Sequence, residues 1–180
     1  MKFISTPLDG LILIEPRVST DDRGYFFESF NERQMAENNI HGPFVQDNQS
    51  VSHKGVLRGL HFQKHPHEQG KLVRVVNGSV MDVVVDIRKD SKTYGRHFSV
   101  LLNDKNNNML WIPRGFAHGF VALEDNTLFL YKVTTYYNPS SESGIIYNDA
   151  ELNIDWKTSD SVISQKDKIL PSFSEFKRSQ

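Results

Sequence analysis

The 180-residue chain contains no cysteine. That absence excludes disulfides, thiolate metal sites and a cysteine nucleophile, and it fits a reducing compartment. Long apolar runs are missing too. No stretch approaches the ~20 apolar residues of a membrane-spanning helix. The start, Met1-Lys2-Phe3-Ile4-Ser5-Thr6-Pro7, lacks the apolar run of a secretory leader. Neither sign of charge is in excess: 21 Lys and Arg stand against 22 Asp and Glu, a net charge of −1. No global basic field therefore draws nucleic acid. There is no diagnostic repeat, low-complexity tract or linker. The expectation is one soluble, cytoplasmic domain spanning residues 1–180, with neither nucleic acid nor membrane as partner.

What is present reads as β almost throughout. Short runs rich in Val, Ile, Leu, Phe and Tyr predict strands at Leu11–Glu15, Tyr25–Ser29, Gly55–Phe62, Lys71–Val76, Ser79–Arg88, His97–Leu102, Asn108–Ile112, His118–Ala122 and Thr127–Thr135. Asn77-Gly78 between two of them is a hairpin signature. Many short strands at close spacing indicate an all-β sandwich, barrel or jelly roll. Helix signals are few. Ser29-x-x-Glu32 fits a capping box for a short helix at Glu32–Asn38, and a second helix is expected near Ser159–Asp167. The tail, Ser172–Gln180, is polar enough to fray, although Phe173 and Phe176 could dock.

Several strand-like runs carry ionisable or phenolic side chains among apolar ones: Val56–Gln63, Gly70–Arg74 and Phe129–Lys132. Desolvated groups have movable pKa values, so such placements point to proton chemistry. His61 is the side chain best matched to proton abstraction near neutral pH, with Arg58, Lys71 and two glycines close in sequence. Tyr131 and Tyr137 share a parity, and so one face, if that strand runs on regularly. Asp82 and Asp86 share a face with Val80 and Val84. Each is either a partner to Lys71 or His118, or sits at a wet sheet edge. For Arg74, Arg88 and Arg114 a solvated surface charge stays an open reading. The run Pro113-x-Gly115-x-x-His118 resembles the second motif of the cupins, a jelly-roll superfamily whose members often hold a metal. The first-motif position here, His61-Phe62-Gln63, has one histidine only, and His65-Pro66-His67 looks loop-like, so no metal site is expected. His118 is then structural or a ligand for anionic groups.

These residues, taken together, resemble the dTDP-4-dehydrorhamnose 3,5-epimerase family of metal-free cupins from about Thr6 to about Lys168. The motifs in order are Asp22-Arg23-Gly24, Phe27-Glu28-Ser29, Phe44–Asn48, Leu57–Gln63, Gln69–Arg74, Trp111–Pro113, Gly115–Phe120, Phe129–Lys132, Tyr136–Pro139 and Ser164–Asp167. The resemblance implies a cupin jelly roll with a few short helices and an N-terminal strand exchanged in a homodimer. It implies His61 as base, Tyr131 as acid, Asp167 as the carboxylate orienting His61, and Lys71 at the substrate's C4 oxygen. Arg23, Glu28, Gln46, Asn48, Arg58, His118, Tyr137, Glu142 and Lys166 match positions that contact the sugar nucleotide. Arg23 and Glu28 would act on the partner's site. The implied substrate is a dTDP-linked 4-keto-6-deoxy sugar inverted at C3 and C5, with no cofactor. The alternatives are an epimerase acting at one carbon, a ketoisomerase on a related nucleotide sugar, a metal-dependent cupin oxygenase, and a catalytically silent sugar-binding cupin.

Overall fold

A computed structural model describes the chain from Met1 to Gln180. Two large sheets face one another. The first runs, in spatial order, β1 (Lys2–Ser5), β2 (Ile12–Glu15), β10 (Met109–Ile112), β7 (Lys71–Asn77), β12 (Thr127–Val133) and β5 (Gln46–Ser52). The second runs β13 (Glu142–Gly144), β6 (Val56–Gln63), β11 (Phe116–Ala122), β8 (Ser79–Asp86) and β9 (His97–Asn103), with β14 (Val162–Ile163) parallel to β6. A separate hairpin, β3 (Ser19–Asp21) with β4 (Gly24–Phe26), stands exposed. Three short helices complete the chain: α1 (Glu32–Glu37), α2 (Gln165–Lys168) and α3 (Phe173–Arg178).

Period-2 alternation explains why the sheets close on each other. Val73 and Val75 of β7, Val80 and Val84 of β8, Phe116 and Phe120 of β11, and Phe129 of β12 meet in one buried cluster between the sheets. Phe120 and Phe129 stack with centroids 4.2 Å apart, and burying each such ring contributes roughly 1.5–3 kcal/mol. The opposite parity of the second sheet, with Leu57, Val83, Val85 and Val121, is covered by the C-terminal segment through Leu152, Trp156, Phe173 and Phe176. The outer face of the first sheet packs Leu72, Met109 and Trp111 under Met35 of α1 and Ile40. The central strands of the second sheet are thus buried on both faces. This explains why β8 and β11 read as near-continuous apolar runs and not as alternating ones.

Several expectations are corrected. Asn77-Gly78 is no hairpin turn, because β7 and β8 belong to different sheets; the pair is a corner between layers. Gly78, at φ +80°, makes that corner where a side chain would strike Thr127. Helix α1 is capped by Asn31 and not Ser29. The helix sought near Ser159–Asp167 is shorter and later, preceded by β14. The tail does not fray: Ser172 and Glu175 form a complete capping box for α3, which buries Phe173 and Phe176. Strand β12 ends at Val133, so Tyr137 is reached through a loop and is not on Tyr131's strand. Strand β5, Gln46–Ser52, was invisible to hydrophobic patterning because it is almost wholly polar.

Candidate active site

One end of the space between the sheets opens as a cavity of about 510 Å³. Its chemistry comes from inward-facing positions of both layers. Strand β6 supplies Arg58 and His61, and β11 supplies His118. From the other sheet, β7 supplies Lys71, β12 supplies Tyr131 and β5 supplies Asn48. Helix α2 closes one side with Lys166 and Asp167. His61 and Tyr131 therefore line the same space from opposite sheets.

Arg58 and His61 stand three residues apart, a spacing that a regular strand would send to opposite faces. The ladder to β11 pairs His61 with His118 but Arg58 with Phe120, so β6 carries one extra residue there. This bulge turns both side chains inward. It also draws the strands together at two glycines. Gly59 has φ +132°, and a Cβ on it would lie 2.5 Å from Gly119 Cα.

His61 Nε2 lies 2.7 Å from Asp167 Oδ1. Burial pushes the Asp167 carboxyl up, but the hydrogen bonds from His61, the Gly59 backbone and Ser164 outweigh it and hold it below the ordinary range. A carboxylate there needs a donor, so in the neutral ring the proton belongs on Nε2 and the lone pair on Nδ1. Ser164 caps α2 by accepting from the Asp167 amide, which fixes where that carboxylate stands. Tyr131 is pushed above its usual value by burial, partly opposed by Arg58, and stays a neutral phenol at neutral pH. Lys71 is brought down to about 8 by burial, against the attraction of Asp82 and Glu142. It remains mostly an ammonium at pH 7, and its Nζ reaches only the His61 carbonyl, at 3.4 Å.

The rim is a chain of polar contacts. The Gln46 amide donates to Asn48 and its carbonyl accepts from the Tyr137 backbone. The Tyr137 hydroxyl donates to Glu142, which pairs with Lys166. Burial pushes Glu142 up, but Lys166 and Tyr137 together hold it below its ordinary value. Gln46, Tyr137 and Glu142 thus frame the mouth without lining the cavity. Arg23 and Glu28 are not at the cavity. Arg23 stands on the exposed hairpin, paired with its neighbour Asp21 at 2.6 Å, and Glu28 accepts from Asn31 and Gln34.

His118 is bound to a carboxylate rather than open at both nitrogens: its Nε2 lies 2.9 Å from Asp82. Asp82 and Asp86 are fully buried, which removes the wet-edge reading. Arg88 is not a solvated charge. It binds Asp86 at 2.7 Å and lies over the Phe116 ring. Arg74 is likewise drawn in, over Phe27, where burial lowers its pKa. No group of three or more His, Cys, Asp or Glu side chains is arranged to hold a metal ion. No helix is long and apolar enough to cross a membrane.

The family model described as dTDP-4-dehydrorhamnose 3,5-epimerase matches residues 5–175. The chain belongs to the dTDP-4-dehydrorhamnose 3,5-epimerase family. A relative of that name from Methanothermobacter thermautotrophicus is 52% identical over 170 residues, covering 93% of this chain and 91% of the relative. A crystal structure of the Legionella pneumophila dTDP-6-deoxy-D-glucose-3,5-epimerase in complex with dTDP-4-keto-L-rhamnose superposes with a TM-score of 0.93. It is 46% identical and covers 96% of this chain and 93% of that one. A 3'-monoepimerase from Streptomyces bikiniensis, in complex with dTDP-quinovose, shares the fold at a TM-score of 0.92 and 30% identity, covering 96% and 88%. The 3,5-epimerase family is one of isomerases, and the cupin-like jelly roll is its fold.

Proposed function

We propose that the cavity inverts C3 and C5 of dTDP-4-dehydro-6-deoxy-D-glucose, giving dTDP-4-dehydro-L-rhamnose without a cofactor. The observation that carries this reading is the pairing of an acceptor nitrogen and a neutral phenol across one space, with an ammonium between sheets. The C4 ketone acidifies the hydrogens at C3 and C5. His61 Nδ1 removes one, leaving an enolate whose charge falls on the C4 oxygen. Lys71 stabilises that charge as it develops, which lowers the barrier more than it tightens ground-state binding. Tyr131 returns a proton to the opposite face. One step leaves an imidazolium and a phenolate, which solvent resets before the second carbon reacts. Asp167 fixes the His61 tautomer and stabilises the imidazolium.

Arg58 and Lys166 at the cavity suit the diphosphate. Arg23 and Glu28 contribute to the site of a partner subunit, carried there by the β3–β4 hairpin. That hairpin leaves Tyr25 and Phe26 exposed, at 59% and 72%, a large apolar surface for a short segment. On this reading the homodimer is the working unit, and it acts in the cytoplasm on a nucleotide sugar. Mixing His61→Ala and Arg23→Ala subunits tests the sharing: activity reappears in hybrids if Arg23 acts in trans and stays absent if it acts on its own chain.

Turnover in heavy water tests the reaction. Two solvent deuterons per product, at C3 and C5, are expected. The second reading, inversion at one carbon, is favoured by the fold's occurrence in a monoepimerase, and it gives a single deuteron. Tyr131→Phe is expected to spare exchange at C3 more than inversion at C5; equal loss of both would contradict the phenol's role.

A further inference from the structure

Two imidazole–carboxylate pairs stand side by side in the cavity. His61 and His118 are directly opposed residues of β6 and β11. One leans on Asp167, the other on Asp82 of β8. Asp82 does not line the cavity and is 0% exposed. Both its oxygens lie within reach of His118 Nε2, at 3.1 and 2.9 Å. His118 Nδ1 has no partner in the chain, yet no buried side-chain polar atom lacks one. Nδ1 therefore opens into the cavity.

We propose that Asp82 is a positioning residue: it fixes His118 as the Nε2–H tautomer, presenting Nδ1 as a hydrogen-bond acceptor to a sugar hydroxyl, and it sets a buried carboxylate behind the Lys71 side of the cavity. This rests on the reaction proposed above. A neutral His118 also spares His61 a second positive ring when it takes the substrate proton. Burial pushes His118 below its ordinary value, with Lys71 and His61 adding to the fall and Asp82 opposing it. Lys71 is faced by Asp82 from β8, Glu142 from β13, His118 from β11, and His61 and Arg58 from β6. Its nearest carboxylates are beyond ion-pair distance, so Asp82 acts on it through its field.

The test is Asp82→Asn, which keeps the shape and removes the charge. The fall expected in kcat is ~10–100-fold, the range found when outer groups that orient metal-bound histidines are removed. The alkaline limb of the kcat profile should move to lower pH, because Lys71 loses an attractive charge. A folded variant with an unmoved alkaline limb overturns the proposal. Asp86→Asn, on the same strand, should leave that limb in place. Nitrogen-15 NMR of histidine-labelled wild-type protein, assigned by difference from His118→Gln, decides the matter even if Asp82→Asn does not fold. The expected signal at pH 7 is a neutral His118 protonated at Nε2. An imidazolium or an Nδ1–H tautomer overturns the proposal. The spectrum needs no substrate, so it stands apart from the isotope count that tests the reaction.

Discussion

Strand β8 carries two aspartates four residues apart, both on its inner face and both fully buried, and the two ends they serve differ completely. Asp86, at the end of β8 beside the Arg88 loop, accepts from the Arg88 backbone and guanidinium and from the hydroxyls of Ser91 and Thr93. Burial alone would raise its pKa, but these donors bring it to about 2. Asp82, at the cavity end, has one hydrogen-bonding group, a histidine whose other nitrogen faces the cavity. A buried carboxylate satisfied on all sides holds a loop in place. A buried carboxylate satisfied on one side only has charge left to act on its neighbours. The strand teaches that the residue type does not decide between structure and chemistry; the number of donors around it does.

Breaking this contrast gives effects of falling size. Lys71→Met, at the cavity end, should cost ~10²–10³ in kcat while leaving the melting temperature nearly unchanged, because a preorganised donor is lost and a desolvated charge removed. Steady-state kinetics beside a thermal melt checks both halves. Asp86→Asn should do the reverse, costing about 3 kcal/mol in a urea titration, since it strands the half-buried Arg88, with kcat unchanged at 25 °C. Acid should reach Asp86 late. The Asp86 pKa is depressed in the folded state, so its stabilisation is present above the ordinary carboxylate value and is lost as pH falls from 3.8 towards 2. The loss is about 2 kcal/mol, and Asp86→Asn should flatten stability over that window. Smallest is Ser172→Ala, which removes a cap of α3 and should cost about 1 kcal/mol with no change in rate.

The apolar strands were legible because their residues are buried on at least one face, and β6, β7, β8, β11 and β12 fall close to where patterning put them. Polar β5 was not legible, since its stability comes from pairing with β12 and not from its own hydrophobicity. The Asn77-Gly78 corner misled because a positive φ serves a layer crossing as well as a hairpin. The Ser29 pattern misled, and the capping box that forms, Ser172 with Glu175, lies on the tail expected to fray; tertiary docking of Phe173 and Phe176 decides that. At the site, His61, Lys71, Tyr131 and His118 were named from the chain, Asp167 came only from the family resemblance, and all five reach one cavity. The shared inward facing of Arg58 and His61 was hidden by the bulge at Gly59, which breaks the period-2 rule between them. Asp82 was visible as a carboxylate in an apolar strand, but only the register of β8 against β11 brings it under His118.

The central claim is that His61 is the base for both carbons, facing a phenol across the cavity. The most direct measurement is solvent deuterium exchange into the 4-keto sugar nucleotide by His61→Ala, followed by NMR at C3 and C5. The expected result is loss of exchange at both positions by ~10²–10⁴-fold, in a protein that still melts as the wild type does. Exchange persisting at wild-type rate at either carbon would contradict it.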